Sequence, residues 1–174
     1  FRRWEGALSG PYHVGWLTMN VPQTVVARLN KVPALPENSV RNAAGPTPDD
    51  VVAPGSLISI RGYNLAPQAQ TGPASPLAQT LQGLVVQINS RILPLVSVAP
   101  EEIIAQLPSD LVAGEYTLTV RPIGQSALFA KTVVARNAPG LFRTKESSEE
   151  LPMAAAFHAG GAAVTAEDPA QPGE

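Results

Sequence analysis

The chain has 174 residues, enough for one ordinary domain with flanking segments. Charged residues make up 15% of it and the net charge is -2, so it lacks the basic surface that nucleic acids and anionic membranes attract. It contains no cysteine, which excludes disulfides, thiolate metal sites and a cysteine nucleophile. No apolar stretch approaches the roughly 18 to 20 residues of a membrane span. We therefore expect no nucleic-acid partner and no membrane insertion.

Residues 1–31 are predicted to be the C-terminal part of a small β module. The run from Gln23 to Leu29 is rich in β-branched residues and follows a turn signal, and Val14–Met19 is predicted as its partner strand. The chain opens with neither an initiator Met nor a signal-peptide pattern, so we expect it to be a piece of a longer protein. Two prolines between Lys31 and Glu37 indicate that residues 32–39 are a linker.

Residues 40–143 carry the alternation of apolar and polar residues that is typical of half-buried strands. The predicted strands are Ser56–Arg61, Leu84–Ile88, Ile92–Val98, Ile103–Leu107, Glu115–Arg121 and Leu128–Val134. A tight turn at Asn89-Ser90 is predicted to join the second strand to the third. Short strands without amphipathic helices, in a chain with 14 glycines and 18 prolines, indicate an antiparallel sandwich.

The long connection from residue 66 to residue 81 is rich in proline, alanine, glutamine and serine. This composition predicts a surface loop, with a helical turn near Leu77–Leu81. Because exposed loops often carry binding residues, we assign it as a candidate partner-binding loop. Its candidate residues are Gln68, Gln70, Pro76 and Gln79.

The C-terminal segment contains a faint repeat. The string Asp50-Val51-Val52-Ala53-Pro54-Gly55 recurs in form as Asp168-Pro169-Ala170-Gln171-Pro172-Gly173. Residues 144–174 are therefore predicted to be a linker and the truncated start of a second related module.

An ordered series of motifs extends over residues 40–174. It begins with Ala53-Pro54-Gly55-Ser56-Leu57-Ile58-Ser59-Ile60-Arg61-Gly62-Tyr63-Asn64-Leu65-Ala66 and continues through residues 83–89, 94–100, 106–108, 114–120 and 138–142. This series resembles the Solibacter-type uncharacterised C-terminal domain of large secreted acidobacterial proteins. Ser90 and Ile104 depart from the family pattern, which usually has glycine and asparagine there. The resemblance implies an immunoglobulin-like fold and an extracellular location, and it implies no established activity.

A second resemblance covers the first 29 residues. The segments Phe1-Arg2-Arg3-Trp4-Glu5-Gly6, Leu17-Thr18-Met19-Asn20 and Thr24-Val25-Val26-Ala27 are similar to the last part of an internalin-type B-repeat of bacterial surface proteins. Neighbours of this kind are expected inside a long modular extracellular protein.

Residues that could carry chemistry lack the usual spacing. His13 and His158 form no His-x-x-His pair, and no acidic pair lies in a calcium-binding loop. The acidic pairs are Asp49-Asp50, Glu101-Glu102 and Glu149-Glu150. No nucleophile elbow or phosphate-binding glycine loop occurs, and 9 aromatic residues are few for a sugar-cleaving cleft. We therefore expect no enzymatic activity, no cofactor and no metal.

Two features leave alternatives open. Trp4, Tyr12 and Trp16 could form an aromatic platform for carbohydrate, although Trp4 and Trp16 are expected in the core of the first β module. Lys131 could form an isopeptide bond with an asparagine, which requires a buried lysine, although a solvent-facing side chain is expected.

The sequence thus predicts an all-β chain, centred on an immunoglobulin-like antiparallel β-sandwich with partial β modules at both ends. The predicted function is that of a non-catalytic structural or adhesive interaction module in a secreted or surface bacterial protein. Its partners would be other protein modules or copies of itself. One alternative is a subunit of an extracellular filament assembled by strand addition. The other is an accessory module that binds polysaccharide.

Overall fold

The computed structural model describes residues 2–12, 14–29, 31–45, 51–142, 154–158, 160–165 and 168–169. Among these residues the chain forms strands and turns and no helix, which confirms the predicted all-β class. This part of the chain accordingly offers no helix of the length and hydropathy needed to cross a membrane. The chain divides into two compact units, Phe1–Val32 and Pro33–Glu174. The immunoglobulin-like assignment and the finer domain boundaries stay predictions.

The N-terminal unit contains a two-stranded antiparallel sheet of β1 (Arg3–Gly6) and β2 (Val25–Arg28). Glu5 stabilises the pair by accepting hydrogen bonds from Arg3 on its own strand and from Arg28 on the partner strand. The predicted partner strand Val14–Met19 is wrong, because that segment forms no strand. Its apolar side chains are largely exposed, so its sequence pattern does not correspond to a buried face.

The second unit contains two antiparallel sheets. The order of the five-stranded sheet is β3 (Val40–Asn42), β4 (Leu57–Arg61), β9 (Glu102–Gln106), β8 (Leu95–Val98) and β5 (Gln70–Thr71). The order of the four-stranded sheet is β11 (Leu128–Val134), β10 (Gly114–Arg121), β6 (Val85–Ile88) and β7 (Arg91–Ile92). β3 and β11 are therefore edge strands of the two sheets.

Apolar side chains from both sheets form one hydrophobic core. Ile58 and Ile60 of β4 are fully buried, as are Leu118 and Val120 of β10. The inward-facing sets predicted from period-two alternation are thus confirmed for these strands. The core also includes Leu84, Val86, Ile88, Leu93, Leu95, Ile103, Ala105 and Leu107.

The predicted single strand Ile92–Val98 is wrong, because the chain changes sheets within it. β7 pairs with β6, and β8 pairs with β9 in the other sheet. The change occurs at Leu93-Pro94, where Leu93 is fully buried and the proline has no N–H to donate to a ladder. A corner of this kind is a known way for a strand to pass between packed sheets.

The turn between β6 and β7 forms as predicted. Asn89 and Ser90 have φ angles of 45° and 65°, the left-handed conformations that a two-residue type I′ hairpin requires. Ser90 therefore adopts the conformation that glycine would adopt more easily, and the hairpin is retained.

The connection from residue 66 to residue 81 contains no helical turn, so that prediction is wrong. Ala78 pairs with Leu95 as an isolated bridge, and Leu81 is buried and bridges to Leu84. The chain forms no helical turn here because its backbone pairs with neighbouring segments, and this pairing places the Leu81 side chain in the core. The short strands β3 and β5 were not predicted, since two or three residues are too few to show alternation.

Candidate functional site

β11 is the outer strand at one side of the four-stranded sheet, and part of its backbone edge has no partner among the described residues. The C=O of Val133 accepts a hydrogen bond from the N–H of Val52 at 3.0 Å, on the side away from β10. Alternate residues of a strand direct their backbone groups to the same side, so Phe129 and Lys131 also direct theirs away from β10. No described residue pairs with these groups of Phe129 and Lys131.

The side chains along this edge alternate between solvent and core. Phe129 is 67% exposed and Val133 is 45% exposed, and Lys131 between them is also exposed. Ala130 and Thr132 are buried. The edge therefore combines an apolar and cationic row of side chains on the outer face of the sheet with peptide groups that no described residue pairs.

A cleft of about 420 Å³ lies beside β11. We call it the edge cleft; it is lined by Asn38, Val40, Glu115, Tyr116, Thr117, Lys131, Thr132 and Val133. These residues come from β10, β11, the start of β3 and the turn before it, so the edge cleft lies where the edges of the two sheets approach each other.

The β3 side of the edge cleft also offers backbone groups. The N–H of Arg61 donates to the C=O of Ser39, and the N–H of Ala43 donates to the C=O of Leu57. In this register Arg41 is bonded to β4, whereas Val40 directs its N–H and C=O away from β4. Both β11 and β3 thus have peptide groups that are not hydrogen-bonded to the neighbouring strand of their own sheet.

Thr132 is one of the residues that line the edge cleft, and its hydroxyl is buried. The residue is 6% exposed, and its Oγ1 is buried without a hydrogen-bond partner among the described residues. A buried hydroxyl in this state typically costs about 1–3 kcal/mol of stability. The described part of the fold therefore leaves a buried hydroxyl near the edge cleft without a partner.

The carboxylates with shifted pKa values belong to exposed ion pairs. Hydrogen bonds from Arg28 and Arg3 lower the pKa of Glu5, and a hydrogen bond from Arg91 lowers the pKa of Asp110. Arg91 Nη1 lies 2.8 Å from Asp110 Oδ1, so this pair connects the β6–β7 hairpin to the loop after β9. These contacts hold neighbouring strands and loops together.

Of the acidic pairs found in the sequence, Glu101-Glu102 lies within the described residues. Glu102 accepts hydrogen bonds from Ser59 Oγ at 2.6 Å and from Arg61 Nε at 3.4 Å, so it braces β4 against β9. Asp49-Asp50, Glu149-Glu150 and His13 lie outside the described residues. The described ranges contain no cluster of three metal-binding side chains. His158 contacts Asp168, with Nε2 3.3 Å from Oδ2.

The candidate loop residues all lie on the surface. Gln68, Gln70, Pro76 and Gln79 are exposed, and Gln70 belongs to β5. The C=O of Gln68 accepts a hydrogen bond from Gln82, which holds the start of the loop to its end. A role of these residues in partner binding stays a prediction.

The aromatic residues of the N-terminal unit differ in exposure. Trp4 is half-buried on β1, whereas Tyr12 is 77% and Trp16 is 94% exposed. The expected core position of Trp16 is therefore wrong, because Trp16 lies in the segment that forms no strand. The alternative of an aromatic platform stays a prediction.

Lys131 is exposed and pairs across the sheet with Thr117. The expected solvent-facing position is confirmed, and the isopeptide interpretation does not fit, since it requires a buried lysine. Sequence reasoning missed the edge cleft because the order of strands in a sheet depends on distant pairings. The available signal was a lysine between two apolar outward residues, a pattern typical of edge strands.

Comparisons with known proteins assign no family. No family model matches the chain, and no curated protein matches it. A solved structure of the Bacteroides ovatus mixed-linkage glucan utilization locus protein SGBP-B, in complex with a mixed-linkage heptasaccharide, is similar at 17% identity with a TM-score of 0.32. The similarity covers 49% of this chain and 19% of that chain. A similarity this low carries no inference about function.

Proposed function

We propose that this chain is a non-catalytic, extracellular interaction module that contacts protein partners through the edge of β11. The observation that carries the proposal is the combination of the exposed side chains of Phe129, Lys131 and Val133 with backbone groups at Phe129 and Lys131 that no described residue pairs. Exposed strand edges are common sites of protein association, because peptide groups supply affinity and alternate side chains supply specificity.

Three described carboxylates hold neighbouring elements together, which supports the non-catalytic part of the proposal. The carboxylates of Glu5, Glu102 and Asp110 are engaged by arginine or serine side chains from neighbouring elements. A catalytic acid or base instead needs a free position facing a bound substrate. The non-catalytic character and the extracellular location are parts of the proposal, and the sequence resemblance to secreted modules supports the location.

Photo-crosslinking at residue 129 tests the proposal. Phe129 is replaced by a photoreactive phenylalanine analogue, and the chain is incubated with the proteins secreted by the cells that carry its gene. The matched control carries the analogue at Val112, which is 75% exposed in a loop of the same unit. We expect discrete crosslinked protein bands from position 129 that are absent from position 112. Equal crosslinking at both positions would contradict the proposal.

A second candidate function is binding of polysaccharide, which the exposure of Trp16 and Tyr12 favours. Exposed aromatic rings can stack on sugar rings. Retention on insoluble glycans during affinity electrophoresis measures this binding. Retention that is lost on replacing both residues by alanine would favour this candidate, and unretarded migration on every glycan would exclude it for those glycans.

A filament subunit would use the same kind of strand edge. Particle size in solution separates this alternative from the interaction module. Sedimentation velocity and electron microscopy distinguish discrete particles from fibres. Discrete particles favour the interaction module, whereas fibres that grow with concentration favour the filament subunit.

A further inference from the structure

We propose that the edge cleft binds an extended segment of another polypeptide, which adds to β11 as a new strand. The segment carries an acidic residue opposite Lys131 and an apolar residue beside Phe129. This inference rests on the proposed function and names the site and the chemistry of the partner.

The backbone geometry selects an extended occupant. Phe129 and Lys131 each offer an N–H and a C=O on the outer side of β11, spaced at every second residue. Val52 already pairs with this edge next to Val134, donating to the C=O of Val133 and accepting from the N–H of Ala135. The edge therefore accepts strand-type pairing at one end, and no described residue pairs with the same groups at Phe129 and Lys131.

The side chains specify the chemistry of the occupant. Lys131 is an exposed cation between Phe129 and Val133, so an acidic residue opposite it gains a cross-strand ion pair. Phe129 offers apolar surface to the outward-facing residue of the occupant that lies beside it. On the other side of the added strand, side chains face the edge cleft, which Val40, Tyr116 and Thr132 help to line.

A second copy of this chain fits the edge less well. Antiparallel pairing of two β11 strands about Ala130 or Phe129 sets Lys131 opposite Phe129 or Ala127, so the lysine has no acidic partner. Pairing about Lys131 sets two lysines opposite each other. Pairing about Thr132 needs the C=O of Val133, which Val52 already occupies. A different polypeptide avoids all three conflicts.

The test uses a phage-displayed library of random peptides of about ten residues, panned on the intact chain. Binding of the selected peptides is then measured by fluorescence anisotropy for the wild type, Lys131→Pro and Lys131→Glu. Proline at 131 removes an N–H that β10 does not use, so the β10–β11 ladder is retained. Lys131→Glu reverses the charge without any demand on the backbone, and it decides the test if the proline variant fails to fold. Lys31→Glu, an exposed lysine of the N-terminal unit, is the charge-matched control.

We expect selected peptides with an acidic residue two positions from an apolar residue. Each Lys131 variant should weaken their binding about tenfold or more, which corresponds to the loss of one charge-assisted contact, and Lys31→Glu should leave it unchanged.

The proposal is overturned if panning enriches no peptide, or if the selected peptides bind both Lys131 variants as tightly as the wild type. Self-association that Lys131→Pro abolishes, without peptide enrichment, would assign the edge to a second copy. Crosslinking from residue 129 without peptide binding would retain the interaction module and reject strand addition.

Discussion

Thr132 lies at a β11 position where the inward pattern otherwise places apolar residues. Leu128, Ala130 and Val134 occupy the other inward positions of the strand. The threonine hydroxyl pays for its burial without a hydrogen bond among the described residues.

Thr132→Val should therefore stabilise the free chain. Valine has nearly the same shape and removes the buried hydroxyl, so we expect the free energy of unfolding to rise by about 1 kcal/mol. Urea denaturation followed by circular dichroism measures it. The control is Thr117→Val at an exposed position of β10, with an expected change within about 0.5 kcal/mol. A clear loss of stability in Thr132→Val would mean that the hydroxyl is satisfied in the free chain.

Gly62 follows β4 at a close approach between two chain segments. A Cβ at this position would lie 2.5 Å from the C=O oxygen of Ala34 and 2.9 Å from Leu35 Cδ2. Because the oxygen belongs to the backbone, Gly62→Ala should lower the free energy of unfolding by about 1–3 kcal/mol. Gly114→Ala is the control, since its Cβ would meet Tyr116 at an ordinary 3.8 Å. Equal denaturation midpoints for both variants would refute the close approach.

At the scale of the element, the pair Arg91–Asp110 fixes the β6–β7 hairpin to the loop after β9. A hydrogen bond from Arg91 holds the pKa of Asp110 below its ordinary value of 3.8. A lowered folded-state pKa stabilises the fold above the unfolded-state pKa, and this contribution is lost as the pH falls through the folded-state pKa. In Arg91→Gln we expect the pKa of Asp110 to rise towards its ordinary value. An NMR titration of the side-chain carboxyl measures the shift, and an unchanged pKa in the variant would contradict the ion pair.

The strands with a buried face could be predicted from sequence, because burial imposes alternation on β4, β6, β9, β10 and β11. The split of Ile92–Val98 could not be predicted in the same way. Both halves are apolar enough for a strand, and their assignment to different sheets depends on partners far along the chain. The pairing of Arg3–Gly6 with Val25–Arg28 was missed for the same reason, since the contacts of Glu5 with Arg3 and Arg28 exist only in that register.

At the scale of the whole molecule, the two sheets of the second unit share one core. Leu118→Ala removes a fully buried side chain from it and should cost about 2–5 kcal/mol of unfolding free energy. Val133→Ala, at a 45% exposed position of the neighbouring strand, should cost much less. Thermal unfolding of both variants in parallel compares them. Similar losses would mean that Leu118 does not lie in a shared core.

The edge cleft is a property of the assembled sandwich, so no single segment of sequence predicts it. Sequence patterns place Phe129, Lys131 and Val133 on one face of a strand, but they do not show that β11 is an edge or that β3 borders it. The loop and aromatic residues singled out from the sequence lie on the surface, and their binding roles stay predictions. The structure adds the edge of β11 as a candidate site that combines backbone and side-chain groups.

Hydrogen exchange measured by NMR on the intact chain tests this edge most directly. We expect the amides of Phe129 and Lys131 to exchange fast and those of Ala130 and Thr132, which donate to β10, to exchange slowly. Equally strong protection of all four amides would show that the edge of β11 is already paired, and it would contradict both the edge cleft and the interaction proposed for it.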